Sequence, residues 1–350
     1  MVGRMDVAAA IGIAVPIIQA PMVGTKGHLA AAVSAAGGLG SLACAALTPD
    51  QIRAEVAQIR RETDAPFNLN FFCHEPPAPD AGREAVWRAA LAPYYEELGL
   101  DPAAPVSMAN RAPFDAVMAD LVAELRPRVV SFHFGLPAAP LLRRVREAGC
   151  LILCSATTVR EARWLAEHGV DAVIAQGAEA GGHRGLFLSE AHASQIGTIA
   201  LVPQIADAVD VPVVAAGGIA DPRGVAAAFA LGASAVQVGT AYLRCPEAGI
   251  SEPYRAALAT ARDEDTVLTN VLTGRPARGL LTRAVRDLGP ISAAAPAFPG
   301  AALALQPLRM AAEAKGSGDF SPLWSGQAAA LGRDCSAADL TRLLARGVPA

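Results

Sequence analysis

A chain of 350 residues, 53% hydrophobic and 18% charged, is globular in composition and long enough for one large core or two linked ones. A net charge of −4 without any basic run excludes the cationic stripe that nucleic-acid binding requires. The longest N-terminal apolar run, residues 7–18, is too short to span a bilayer, and Cys44, Cys73, Cys150, Cys154, Cys245 and Cys335 form no CxxC pair. The cysteines therefore read as neither a disulfide framework nor a metal site, and their use fits a reducing cytoplasm.

Arg4 ahead of the 7–18 run leaves a cleaved leader as one reading of the N-terminus. Against it, Asp6 interrupts the charged stretch and the run continues into Pro16-Ile-Ile-Gln-Ala-Pro21, which predicts a first strand. Seven further short apolar runs follow, at 38–44, 67–72, 129–134, 151–156, 172–177, 211–218 and 235–240, each ending in turn or polar residues as buried parallel strands do. Helical segments lie between them. Gly37 closes one, Thr48 opens another before Pro49, a Thr pair at 157–158 and Gly169 bound a third, and Asp221-Pro222 starts a fourth. Four of the seven strand-to-strand intervals are about 21–24 residues, which favours a (β/α)8 barrel over a long doubly wound sheet.

The barrel is expected over 1–240, with a Pro-rich excursion at 73–113. Residues 241–315 are expected to cover the substrate as a lid, and 316–350 to supply closing helices. Within this tail, 251–261, 307–316 and 321–333 read as helical, 273–280 as a loop, and 293–304 as a Pro-broken linker.

Function in such a barrel belongs to the C-terminal ends of the strands. Residues 19–22 (Gln-Ala-Pro-Met), Asn68 and Asn70, Ser131 and His133, Gln176, Gly217-Gly218 and Gln237, Gly239 and Thr240 all fall there. The bare backbone after the last two strands suits a phosphate; Asp221, capping a nearby helix, would compete with an anion unless its helix is a different one. In Ala-Gln-Gly-Ala-Glu-Ala-Gly-Gly-His-Arg-Gly (175–185), Gly181 and Gly182 allow close approach to a flat or phosphorylated ligand, and His183 is placed to take a proton near neutral pH. The same stretch also reads as a turn with a solvated histidine, and His133 equally as a hydrogen-bonded interior residue. His28 and His168 mark helix ends, His74 and His192 lie in loops, and Cys154 reads as core packing.

Taken together, QAPM, AAAVSAAGGLGSL, FNLNFF, SFHFG, QGAEAGGHRG, PVVAAGGIAD, LGASAVQVGTAYL, NVLTGRPARGL and LWSGQAA resemble the nitronate monooxygenases, formerly 2-nitropropane dioxygenases, over about residues 16–332. The resemblance implies an FMN enzyme on a TIM barrel with a smaller lid. FMN would be held by Ala20, Pro21, Met22, Asn70, Gln176, Gly181, Gly182, Gly217, Gly218, Gln237, Gly239 and Thr240. His183 would be the catalytic base, and His133 and Ser325 would line the substrate pocket. Substrates would be a small nitronate or nitroalkane and O2, yielding a carbonyl compound and nitrite. One departure is Lys26-Gly27-His28 after Thr25, where the family enters its first helix with Thr-Pro; Lys26 is then a candidate, by position, for the flavin N1–C2 edge. An FMN-dependent enoyl-thioester reductase using NAD(P)H shares the barrel and the Gly-Gly-His loop, and a non-catalytic flavin-binding protein is the third reading. Oligomeric state, a homodimer included, is not legible in the sequence.

Overall fold

The computed structural model describes residues 6–104, 112–189 and 194–349. Its main sheet is built from β1 (Ile17–Gln19), β2 (Gly40–Ala43), β3 (Phe67–Phe72), β4 (Val129–His133), β5 (Leu151–Ala156), β6 (Ala172–Gln176), β8 (Val213–Ala216) and β9 (Ala235–Val238); the two-residue β7 (Gly182–His183) belongs to another sheet. The eight run parallel in the order β1-β9-β8-β6-β5-β4-β3-β2. A bridge between Ile18 and Leu39 joins β1 to the approach of β2, with Gln19 N–H donating to Leu39 O at 2.9 Å, so the ring closes. All eight predicted strands are present in a (β/α)8 barrel.

Alternation along each strand sorts the side chains. Phe67, Leu69 and Phe71 of β3, or Val173 and Ala175 of β6, point outward into the core shared with the helices. Ile18, Leu39, Val129, Leu153, Ile174 and Val214 fill the barrel interior. Val7 and Ile11, on a short helix (Val7–Ile11) capped by Asp6, pack into this interior cluster, so the first apolar run is part helix and part strand. The predicted helix starts hold: Thr48 makes a capping box with Gln51, Thr158 accepts from Glu161 N–H, and Asp221 accepts from Arg223 N–H and Gly224 N–H.

A second, antiparallel sheet joins β10 (Thr266–Thr269), β11 (Ala277–Leu280) and β7 in the order β10-β11-β7. The predicted loop at 273–280 is therefore half strand: Gly274 and Pro276 confine the turn, the next four residues pair with β10, and the first two of them also pair with β7. The predicted helix at 321–333 is also absent. Pro322, Gly326 and Gly332 break it, Trp324 bridges to Gly279 instead, and only a short turn, Ala329–Leu331, remains helical. The predicted linker ends earlier than expected, because the helix Gly300–Ala314 takes in its last residues.

Within the excursion lies an 18-residue helix, Ala81–Leu98. Its Trp87, Leu91 and Tyr95 share a core with Val271, Val285, Leu305 and Leu308, and Trp87 Nε1 donates to Ala301 O at 3.1 Å. At the C-terminus, helix Ala337–Ala345 buries Leu340 and Leu344 in the outer barrel core. No helix among the described residues is long and apolar enough to cross a membrane.

Candidate active site

The C-terminal mouth of the barrel is a cavity; of the residues nominated from the sequence, all line it except Gln19, Lys26, Asn68 and Ser325. Ser325 is fully buried behind the wall, its hydroxyl donating to Gly326 O, while its neighbours Trp324 and Gly326 face the cavity. Lys26 does not reach it: its ammonium is largely exposed and lies 3.9 Å from Glu55. The cavity also takes in Phe72, Ser155, Glu179 and Tyr254, none of which was singled out from sequence. Among the described residues no cluster of His, Cys, Asp and Glu could hold a metal ion.

Two amides on one strand face needed an explanation, and the interior supplies it. Asn68 Nδ2 donates to Ser41 Oγ and Ser131 Oγ, at 3.0 and 2.9 Å, and Asn70 Nδ2 donates to Ser131 Oγ at 2.9 Å. Asn70, one pleat nearer the mouth, lines the cavity and Asn68 does not. Period-two alternation raised these groups into the barrel; shared bonds to Ser131 satisfy both amide nitrogens, while Asn68 Oδ1 is buried without a partner among the described residues.

The opposite wall is bare backbone. Gly217 and Gly218 have φ of +120° and +70°, which side-chain-bearing residues rarely adopt. A Cβ on Gly181 would lie 2.6 Å from Gly326 N, so the loop at 177–182 packs backbone to backbone. A Cβ on Gly239 would stand in contact with Ala20 and Met22, inside the cavity. Gln237 Oε1 is buried with no hydrogen-bond partner among the described residues. An acceptor left over on a cavity wall beside bare N–H groups suits a flat, hydrogen-bonding ligand carrying an anion, as a flavin nucleotide does. Asp221 caps its own helix and pairs with Arg223, whereas the turn Thr240–Leu243 starts at the cavity without a side-chain cap. The competing carboxylate thus belongs to a different helix. Glu179 is engaged elsewhere, accepting from Thr198 N–H and Oγ1 at the start of helix Thr198–Ala208.

His183 is on strand β7, not in a free loop. Its backbone pairs with Ala277, and Arg184 N–H donates to Pro276 O at 2.8 Å. Its carbonyl accepts from Gln176 Nε2 at 2.9 Å and from His133 Nε2 at 3.2 Å. Gln176 Oε1 accepts from Gly185 N–H and Arg184 Nη1, at 2.8 and 3.0 Å. The Arg184 guanidinium is 1% exposed; burial pulls its pKa down to about 10, against the nearby Glu161 and Glu179 carboxylates. The His183 ring meets Phe298 and Trp324 with centroids 5.3 Å away, and Phe134 and Phe72 at 5.8 and 6.0 Å. It stands where the mouth joins an outer cavity lined by Ile250, Arg309, Glu313 and Ser321.

His133 uses both ring nitrogens on the protein. A carbonyl can only accept, so Nε2–H donates to His183 O, and Nδ1 accepts from Ser155 Oγ at 2.9 Å. Burial, with Arg275 and Arg184 nearby, lowers its pKa to about 3 against the bond to His183 O. His28 pairs with Glu62, His168 stacks on Trp164, and His74 packs edge-on to Phe298; His192 lies outside the described residues. Cys154 donates to Gly135 O at 3.3 Å, and burial pushes its thiol far above the ordinary range, which makes it a packing residue.

Fold and mouth together define an α/β barrel of the kind that holds its ligand at the C-terminal ends of its strands. The nitronate monooxygenase family pattern matches residues 6–347. A nitronate monooxygenase of Pseudomonas aeruginosa is 46% identical, covering 95% of this chain and 96% of its own. The crystal structure of a nitroalkane oxidase from Streptomyces ansochromogenes superposes with a TM-score of 0.88 at 39% identity, covering 97% of this chain and 96% of that one. FabK from Thermotoga maritima superposes with a TM-score of 0.71 at 28% identity, covering 98% and 95%. The chain belongs to the nitronate monooxygenase family, a family of flavoenzymes, and is an oxidoreductase.

Proposed function

We propose that the protein is FMN-dependent and oxidises alkyl nitronates with O2 to a carbonyl compound and nitrite, accepting nitroalkanes once their α-proton is removed. The observation that carries this reading is the position of His183. A ring held through its backbone from three sides stands at the junction of the glycine-walled mouth and the outer cavity. In this reading Ala20, Pro21, Met22, Asn70, Gln176, Gly181, Gly182, Gly217, Gly218, Gln237, Gly239 and Thr240 hold FMN. FMN supplies the acceptance of electrons from the substrate and their delivery to oxygen. His183 takes the α-proton of a neutral nitroalkane, for which a neutral imidazole is suited near pH 7. His133 contributes a neutral ring face to the substrate wall, and Ser325 backs that wall from behind Trp324. Phe72, Phe298 and Trp324 keep the proton-transfer site apolar and shield it from water.

The likeness to FabK supports one other reading, an enoyl-thioester reductase on the same barrel. Anaerobic mixing of the purified protein separates the two. Bleaching of oxidised-flavin absorbance by ethyl nitronate, with nitrite released on adding air, is expected. Bleaching by NADPH, coupled to a crotonyl thioester and without nitronate turnover, would replace the proposal with the reductase. A protein retaining flavin but turning over neither would be a binding protein.

A further inference from the structure

We infer that Thr273 is a positioning residue that selects the tautomer of His183 and holds its ring for proton abstraction; this rests on His183 being the base. Thr273 Oγ1 is 2.9 Å from His183 Nε2 and 3.3 Å from Arg275 O. A hydroxyl carries one proton, and a carbonyl only accepts. Both contacts are hydrogen bonds in one arrangement alone: Thr273 donates to Arg275 O and accepts Nε2–H from His183. The neutral ring then keeps its proton on Nε2 and carries its basic lone pair on Nδ1. In the abstraction step the substrate α-C–H bond breaks, its electron pair becomes the C=N bond of the nitronate, and the N=O π pair moves onto oxygen. The proton goes to Nδ1, and the resulting imidazolium still donates Nε2–H to Thr273, now as a stronger, charge-assisted bond.

The hydroxyl is well placed to impose this choice. Thr273 is 2% exposed and sits in a turn closed by Gly274 N–H donating to Asn270 O at 2.7 Å. Gly274 has φ +90°, and a Cβ there would lie 2.0 Å from Pro296 O, so the turn admits only glycine. Asn270 is tied to Ser292 by two hydrogen bonds, its Nδ2 to Ser292 O and Ser292 N–H to its Oδ1. The same segment, four residues on, pairs Ala277 with the His183 backbone. Ring and main chain of His183 are thus held by one stretch, 273–277.

The test uses flavin-loaded enzyme with nitroethane and, separately, ethyl nitronate. Thr273→Val should lower kcat on nitroethane by roughly tenfold or more, a part of what a general base contributes, and enlarge the α-deuterium isotope effect. It should leave flavin content unchanged and ethyl nitronate turnover within about twofold, because that substrate skips the step. Thr273→Ser should restore nitroethane turnover. Nitrogen-15 histidine NMR of the unmodified protein, with the signal assigned by its loss in His183→Asn, should show Nε2 protonated. Equal losses of Thr273→Val on both substrates, no rescue by serine, or an Nδ1-protonated ring would each overturn the inference. If His183→Asn is selective for nitroethane and Thr273→Val is not, only the role of Thr273 falls. If His183→Asn impairs both substrates equally, the base assignment falls and takes this inference with it.

Discussion

His133 holds His183 by its main chain, not its ring: Nε2–H of His133 donates to the His183 carbonyl at 3.2 Å. The same carbonyl takes the Gln176 amide at 2.9 Å, and Gln176 in turn gathers Arg184 and Gly185 through its oxygen. The two histidines therefore differ in kind. One is locked neutral with both nitrogens on protein partners; the other is presented on a fixed strand to the cavity.

Replacing His183 by asparagine should reduce kcat/KM for neutral nitroalkanes by roughly 10²–10⁴-fold, the usual worth of a positioned base. Ethyl nitronate, which needs no deprotonation, should lose far less. Steady-state oxygen consumption with the two substrates checks this; parallel losses would remove His183 from the chemistry.

Gly239→Leu should abolish flavin retention. Gly239 has an ordinary negative φ of −111°, and its Cβ would already touch Ala20 and Met22 on the cavity wall. The fold should survive, with the variant melting close to flavin-free wild type. Purification of a fully yellow variant would contradict the placement of the cofactor.

Removing the Gln176 amide as Gln176→Leu leaves the Gly185 N–H without its acceptor and takes one donor from the His183 carbonyl. Destabilisation of roughly 1–3 kcal/mol is expected from the orphaned group. Chemical denaturation of the flavin-free protein measures it independently of cofactor binding; an unchanged midpoint would show that this clamp contributes nothing.

Acid should weaken the fold through His133. Its folded pKa is about 3 against an ordinary value of 6.5. Between those values the unfolded chain binds a proton that the native ring refuses, so stability falls as pH drops from about 6.5 toward 3. The contribution by pH 5 is about 2 kcal/mol. His133→Gln should show a shallower decline in melting temperature from pH 7 to pH 5 than wild type. A steeper or identical decline would mean that another group carries the acid sensitivity.

Much of this molecule is legible in one dimension. Each barrel strand is a short apolar run because both its faces are buried, and burial of that kind leaves a local mark. Thr48, Thr158 and Asp221 announce helix starts because a cap bonds only to its own first turn. Glycines at 181–182, 217–218 and 239 mark the mouth because they stand at strand ends, where the barrel always opens. The tertiary structure alone decided how His183 is held. Thr273 is 90 residues away from it, and Ala277 pairs with it from a stretch whose Gly and Pro signal a turn but conceal the strand beyond. Trp87 and Ala301 meet across 214 residues, and no periodicity in either helix names its partner. The burial of Arg184 is equally silent, since an arginine beside a glycine turn ordinarily points to solvent. Local patterns encode which face of an element is buried; which distant group satisfies it is settled only when the chain closes on itself.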